Sequence, residues 1–170
     1  MIHCLPDCVI LLAIYAWKVW PTRRCLPHSR FLNRTVLYLY LCGVLAVTLM
    51  PVLWKLPLIP FVSYRVHLNP FEDYLRGWGD ARRQILLNIA MLLPFGLIFP
   101  RETGGGCFRT VGCGILLSLT IELLQPFFGR SCDITDLITN TLGCIVGFCL
   151  YRLLRGPLAK FDCWIDAVLP

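Results

Sequence analysis

The stretch that decides the fold is Gly129-Arg-Ser-Cys-Asp133-Ile-Thr-Asp136-Leu-Ile-Thr-Asn140-Thr-Leu-Gly143-Cys-Ile-Val-Gly147. Charged residues open it, and an apolar run with almost no further charge closes it. On a helix, spacings of three and four residues place side chains on one face. That face has polar groups at the top and small residues at the bottom, namely Asp133, Asp136, Asn140, Gly143 and Gly147. The stretch therefore predicts a helix with a polar site above a close-packing seam of glycines.

Composition indicates an all-α integral membrane protein. Of the 170 residues, 57% are hydrophobic and 15% are charged, and the mean hydropathy is +0.68. Soluble domains carry about a quarter charged residues, so this chain is suited to a lipid solvent. The length predicts a single domain over residues 1–170, built as a helical bundle with about five transmembrane helices and short interfacial helices.

Five apolar runs predict the spanning helices. Pro94 lies inside the third run and cannot donate a hydrogen bond to the carbonyl of Ala90, so we expect a kink or break there. A basic loop, broken by Pro21 and Pro27, is predicted after the first run. The runs cover residues 2–20, 35–54, 84–99, 110–128 and the continuation of the opening stretch to 154.

Two further segments predict short helices at the membrane surface. In the first, Asn69 is a candidate N-cap, Pro70 suits the first helical position and Glu72 completes a capping box. Apolar residues then recur on one face up to Trp78, which fits an interfacial helix. A loop helix packed on protein fits the pattern equally well. The second segment is the tail 156–170, which also has apolar residues at helical spacing.

The distribution of Lys and Arg predicts that the N-terminus is outside and the C-terminus inside the cell membrane. Basic residues flank the apolar runs instead of forming one patch, which is typical of loops at a membrane surface. In spite of the net charge of +6, we therefore expect a lipid bilayer and not a nucleic acid as partner. In this orientation ten of the sixteen basic residues lie in inner loops and the tail: Lys18, Arg23, Arg24, Arg30, Arg34, Arg101, Arg109, Arg152, Arg155 and Lys160.

The ten cysteines predict no metal site, and we expect no cofactor. None of them forms a Cys-x-x-Cys pair, the spacing that zinc sites commonly use. Several lie inside apolar runs, where Cys behaves as a small hydrophobic residue. Cys132 differs because it lies between Arg130 and Asp133 in a predicted loop, and we interpret it as a free thiol.

Polar residues that are costly in lipid are predicted at one level of the bundle. Asn88 lies about one turn from the outer end of the third helix, and Glu122 and Gln125 lie about one to two turns from the outer end of the fourth. Asp136 and Asn140 lie at a comparable depth in the fifth. Three antiparallel helices therefore bring five polar side chains together in the outer leaflet.

Each of these residues also has a purely structural interpretation. Asp133 suits the N-cap of the fifth helix. Asn140 and Gln125 are typical of hydrogen bonds between helices. A carboxylate inside a span is costly, so Glu122 either forms an ion pair with Arg130 or takes part in function.

The same residues form a candidate site. Arg130 suits a two-pronged contact with phosphate or carboxylate. The candidate catalytic residues, whose carboxylates suit proton transfer or binding of a cation, are Glu122, Asp133 and Asp136. The candidate ligand-binding residues are Arg130, Asn88, Gln125 and Asn140. No nucleophile–His–acid set is predicted, because the histidines lie far from this cluster along the chain: His3, His28 and His67.

These residues resemble the VanZ-like family of small bacterial membrane proteins over residues 36–154. The resemblance depends on the order and spacing of several groups of residues, and the first apolar run and the cysteines lie outside it. The groups are Asn69-Pro70-Phe71, Asn88 with Pro94-Phe95-Gly96, Glu122-x-x-Gln125, and Arg130-x-x-Asp133-x-x-Asp136-x-x-x-Asn140-x-x-Gly143.

The resemblance implies a multi-span protein of the cell envelope, from a family named for low-level resistance to the glycopeptide teicoplanin. Two hypotheses follow. In the first, the protein lowers glycopeptide susceptibility at the outer face, where it meets an anionic envelope precursor or the glycopeptide. In the second, it is an intramembrane enzyme acting on a lipid-linked or phosphate-bearing envelope substrate. A small transporter is a third possibility, disfavoured by the short chain and the lack of a paired repeat.

Overall fold

The computed structural model describes residues 4–57 and 64–168. Within these ranges the chain forms seven α-helices and two short strands, which confirms the all-α class. The helices are α1 (Leu5–Ile14), α2 (His28–Thr48), α3 (Val52–Lys55), α4 (Glu72–Arg76), α5 (Ala81–Thr103), α6 (Cys107–Leu124) and α7 (Ile134–Val168). The strands are β1 (Val66–His67) and β2 (Cys132–Asp133).

Four of the helices are long and apolar enough to cross a membrane. They are α2, α5, α7, and α6 together with the 3₁₀ turn Gln125–Phe128 that continues it. They correspond to the second to fifth predicted runs, although α2 begins at His28 and α5 at Ala81, earlier than expected. α5 also continues through Pro94 without ending there.

The first predicted run is helical but is not one regular helix. α1 continues as a π-helix, Tyr15–Val19, and then as a 3₁₀ helix, Trp20–Arg24. This segment runs antiparallel to α2: the Asp7 carboxylate accepts hydrogen bonds from backbone N–H groups just beyond the end of α2, and Trp20 packs edge-on against Phe31 near its start. It therefore adds a fifth helical element to the bundle.

The basic loop predicted around Pro21 and Pro27 is mostly helical. Pro21 lies in the first turn of the 3₁₀ helix, where a missing N–H costs no hydrogen bond. Pro27 directly precedes α2. Both prolines thus start helices instead of breaking them, so the loop prediction was wrong.

The glycine seam predicted on α7 is confirmed. A Cβ atom on Gly143 would lie 2.1 Å from the carbonyl oxygen of Ile89, and one on Gly147 would lie 2.0 Å from that of Leu93. Both carbonyls belong to α5, and Gly96 of α5 makes an equally close approach to Cys144. The α5 and α7 backbones therefore touch, and these two helices share the largest interface of the fold.

The tail does not form a separate surface helix. α7 continues through Pro157 to Val168 as one helix, and side chains of its last turns bind α2 and α5. Asp162 forms an ion pair with Arg101 of α5. The carboxylate of Asp166 accepts hydrogen bonds at 2.7 Å from the backbone N–H and the hydroxyl of Ser29, in the first turn of α2. The tail thus ties α2 and α5 together at one end of the bundle.

The capping box predicted at Asn69 is also wrong. α4 begins only at Glu72, because Phe71 adopts a left-handed conformation with φ of 58°. The Asn69 amide instead donates to the Glu72 carboxylate at 2.9 Å. The backbone N–H of Phe71 donates to the Thr135 hydroxyl at 2.9 Å, which fixes this loop over the first turn of α7. Trp78 remains exposed after α4.

Candidate functional site

A cavity of about 710 Å³ opens at the end of the bundle where α2 and α6 finish and α5 and α7 begin. Ligand pockets typically measure about 300–1,000 Å³, so its size suits a small ligand. Six of the seven candidate site residues line it, although they come from three different helices and their connections. The charged and amide residues of its lining are Asp80, Arg83, Gln84, Asn88, Glu122, Gln125, Arg130, Asp136 and Asn140.

Asp136 is the most heavily hydrogen-bonded of these residues. It lies in the first turn of α7 and is 7% exposed. The Asn88 amide of α5 donates to its carboxylate at 2.6 Å, and the Gln84 amide, one turn earlier, lies 3.3 and 3.4 Å from the two oxygens. Two amides of α5 thus hold a buried carboxylate of α7. Buried polar groups are normally hydrogen-bonded in this way, because an unpaired one is costly.

Glu122 is held by the backbone. Its carboxylate is buried near the end of α6 and accepts a hydrogen bond at 3.0 Å from the N–H of Asp133. The chain reaches this position because Gly129, with φ of 82°, ends the 3₁₀ turn and reverses direction. In the described part of the chain, Glu122 forms no ion pair with Arg130 within 4.0 Å. The ion-pair interpretation of Glu122 is therefore not supported.

Asn140 has one satisfied and one unsatisfied hydrogen-bonding group. Its amide nitrogen donates to the Ser118 hydroxyl at 3.0 Å, which links α7 to α6. Its carbonyl oxygen, Oδ1, is fully buried and accepts no hydrogen bond from any described residue. Asn140 also lines the cavity, but Oδ1 itself is buried inside the bundle and is not exposed to the cavity.

Asp133 lies apart from the cavity and acts at the start of α7. Its carboxylate accepts a hydrogen bond at 2.7 Å from the backbone N–H of Thr135, in the way an N-cap residue does. It faces a small neighbouring depression with Phe71 and Asp136. The structure thus gives Asp133 a local structural role, and its catalytic assignment stays a prediction.

The two strands bring the α2–α5 connection to the site. They pair in parallel, with Val66 opposite Cys132 and His67 opposite Asp133. As a result Arg65 and His67 line a polar cleft of about 540 Å³ that shares Arg130 and Asp136 with the cavity. The sequence interpretation had set His67 apart because it is distant along the chain, and that was wrong for its position in space.

Sequence reasoning also missed three residues of the cavity at the start of α5. Asp80, Arg83 and Gln84 lie in the turns before Asn88, on the same helix face. They lie eight, five and four residues before Asn88, and the steps of four from Asp80 to Gln84 to Asn88 were a usable signal. It was overlooked because the third span was predicted to begin only at Gln84.

Three arginines give the site a basic side. Arg65 and Arg130 line the cleft, and Arg83 and Arg130 line the cavity. Their guanidinium groups form no ion pair within 4.0 Å and no hydrogen bond with any residue that the structure describes. All three residues are exposed. Guanidinium groups without partners around a cavity are suited to bind an anion.

Cys132 lies in β2, beside these acidic groups. Burial, and then the negative charges of Glu122, Asp133 and Asp136, raise the pKa of its thiol. A raised pKa lowers the fraction of reactive thiolate at neutral pH, which agrees with a free thiol and not an activated one. Among the described residues no cluster of three or more His, Cys, Asp or Glu side chains could hold a metal ion.

Comparison with known proteins identifies the family. The model of the VanZ/LLP1 family matches residues 36–155, a range that includes every residue lining the cavity. Among curated proteins, Protein VanZ of Enterococcus faecium is 30% identical over 133 residues, which cover 74% of this chain and 76% of that protein. No solved structure matches the chain significantly. The chain is a multi-pass membrane protein that belongs to the VanZ/LLP1 family.

Proposed function

We propose that this protein acts in the bacterial cell membrane, where it contributes to low-level resistance to teicoplanin by binding an anionic component at its polar cavity. The observation that supports this function is the cavity itself, in which unpaired arginines face carboxylates held by α5 and by the backbone. The component is either an anionic envelope precursor or the glycopeptide. Similarity to Protein VanZ supports the link to resistance.

The proposed orientation places the cavity at the outer face, with the N-terminus out and the C-terminus in. Six basic residues lie outside in this orientation, which makes the charge asymmetry modest. Three of those six, Arg65, Arg83 and Arg130, line the cavity or its cleft. A role in anion binding explains their presence on the outer side, so they do not argue against the orientation.

Thiol labelling tests the orientation. In variants that retain one cysteine each, a membrane-impermeant maleimide applied to intact cells should label Cys132 and leave Cys25 unlabelled. Cys25 is exposed on the protein, so the bilayer and not burial would protect it. Labelling at alkaline pH compensates for the raised pKa of Cys132. Labelled Cys25 together with protected Cys132 would invert the topology.

A susceptibility assay tests the function. Expression of the chain in a susceptible Gram-positive host should raise the inhibitory concentration of teicoplanin several-fold, and Arg130→Gln should abolish that increase because the anion contact is lost. Arg155→Gln is the matched control, since Arg155 is exposed on α7 and lies at the opposite end of the membrane-spanning segment. An unchanged inhibitory concentration with the unmodified chain would refute the proposal.

An intramembrane enzyme remains the second candidate, supported by the buried carboxylates beside the arginines. Glu122 and Asp136 share the cavity with Arg130, as an acid or base must lie beside a bound phosphate ester. Glu122→Gln and Asp136→Asn keep an oxygen that accepts the observed hydrogen bonds but remove the proton-transfer group. Full resistance in both variants would exclude this candidate while leaving the binding function intact.

A further inference from the structure

The cavity has two chemically different parts. The polar part lies at the mouth of the bundle, around Arg83, Arg130 and the adjoining cleft with Arg65. The other part runs between α2 and α5. Its two hydroxyl-bearing residues, Tyr40 and Thr48, both donate to backbone carbonyls, and the rest of its lining is apolar: Gly43, Val44, Val47, Leu87, Ala90, Met91 and Pro94. A single ligand that fills both parts must carry charge at one end and hydrocarbon at the other.

One face of α5 shows this change along its length. Asp80, Arg83 and Gln84 begin it, and Met91 and Pro94 end the part that lines the cavity. At about 1.5 Å per residue, this face passes from charged to apolar over roughly 21 Å. The apolar wall of α2 faces it and extends roughly 12 Å into the bundle, from Thr48 to Tyr40.

The apolar part opens sideways into the membrane. Val47 of α2 is 75% exposed and Leu87 of α5 is 56% exposed, and both also line the cavity. Because α2 and α5 are spanning helices, surface exposed there contacts lipid. Gly43 leaves further open space, since a Cβ atom on it would have no neighbour within 4 Å. A hydrocarbon chain can therefore leave the cavity between α2 and α5 without crossing polar surface.

The charges of the site favour an anionic head. The carboxylate of Asp136 already accepts from Asn88, and that of Glu122 already accepts from the backbone of Asp133. The three guanidinium groups have no described partner, and Asp80 is the one carboxylate of the lining to which no described residue donates a hydrogen bond, so unpaired positive charge is in excess at the mouth. The free bonding capacity of the site thus suits a phosphate.

We propose that the ligand of the cavity is a membrane lipid whose phosphate headgroup is bound by Arg65, Arg83 and Arg130, and whose hydrocarbon chain lies between α2 and α5. This inference rests on the function proposed for the same site and names the class of its ligand. The lipid enters laterally from the bilayer and not from the aqueous phase.

Thermal unfolding of the purified protein in detergent tests the proposal, because a ligand that binds only the folded state raises the midpoint. Dioleoyl phosphatidic acid should raise it by about 5 °C near saturation. Inorganic phosphate supplies the head alone, and dioleoylglycerol supplies the chains alone, so each should raise it by much less. An equal rise with inorganic phosphate would overturn the proposal in favour of a free anion, and an equal rise with dioleoylglycerol would show nonspecific stabilisation by hydrocarbon.

Two variants separate head from chain. Arg83→Gln should reduce the shift given by phosphatidic acid by weakening the head contact. Gly43→Leu should also reduce it by filling the space for the chain, whereas Gly112→Leu on α6 should not, although a Cβ there also meets nothing within 4 Å. Val47→Phe repeats the test if Gly43→Leu lowers folded yield. An undiminished shift in every cavity variant would overturn the proposal.

The outcome is independent of the resistance assay. Lipid-specific stabilisation in a chain that leaves teicoplanin susceptibility unchanged would support the ligand class and refute the resistance function. Resistance without lipid-specific stabilisation would support the resistance function and refute the ligand class.

Discussion

Gly147→Ala should strongly reduce the folded yield of this protein in detergent. The added Cβ would lie 2.0 Å from the carbonyl oxygen of Leu93, so α5 and α7 would have to separate along their shared interface. Forced overpacking of this kind costs about 3 kcal/mol, which corresponds to a fall of roughly 6–12 °C in the thermal midpoint. Size-exclusion recovery and the midpoint of unfolding measure the effect.

Gly156→Ala provides the matched control on the same helix. A Cβ at Gly156 meets nothing within 4 Å, and alanine has a higher helix propensity than glycine. This variant should therefore unfold at the same temperature as the unmodified protein or slightly above it. Similar losses in both variants would mean that glycine is required for a property of α7 other than close packing.

Asn88→Asp should be as damaging as the glycine variant, for an electrostatic reason. The Asn88 amide lies 2.6 Å from the carboxylate of Asp136, so the substitution places two carboxyl groups in direct contact in a buried site. An uncompensated buried charge costs about 3–5 kcal/mol. We expect little folded protein from this variant, measured by the same recovery assay.

Exchanging the two groups separates folding from function. In N88D/D136N the amide on α7 donates to the carboxylate on α5, so the interhelical hydrogen bond is restored with reversed direction. Folded yield should recover. Resistance should recover as well if the site needs only the hydrogen bond, and should stay lost if it needs a carboxylate on α7. Failure of the yield to recover would show that the 2.6 Å contact does not stabilise the bundle.

Much of the site could be predicted because it depends on helix periodicity and depth. Asn88, Glu122 and Asp136 were placed together from the number of turns that separate each from a helix end, and the structure brings all three to one cavity. The close approach at Gly143 and Gly147 followed from residue size alone. Both inferences use geometry that a regular helix repeats along its length.

The missed features depend on tertiary contacts between distant segments. Arg65 and His67 reach the site through a two-residue parallel pairing with β2, and such short strands leave no periodic pattern in the sequence. The capping box at Asn69 failed because Phe71 takes a left-handed conformation while its N–H bonds to Thr135 of α7. In each case a partner far along the chain overrides the local preference.

The attachment of the tail has a consequence for how the chain is assembled during synthesis. Ser29 and Arg101 enter the membrane with α2 and α5, yet their partners, Asp166 and Asp162, lie at the end of α7. A ribosome makes the chain from the N-terminal side, so Ser29 and Arg101 lack these partners until α7 has been made. Synthesis of the C-terminal turns of α7, and not the insertion of α2 or α5, therefore closes this end of the bundle.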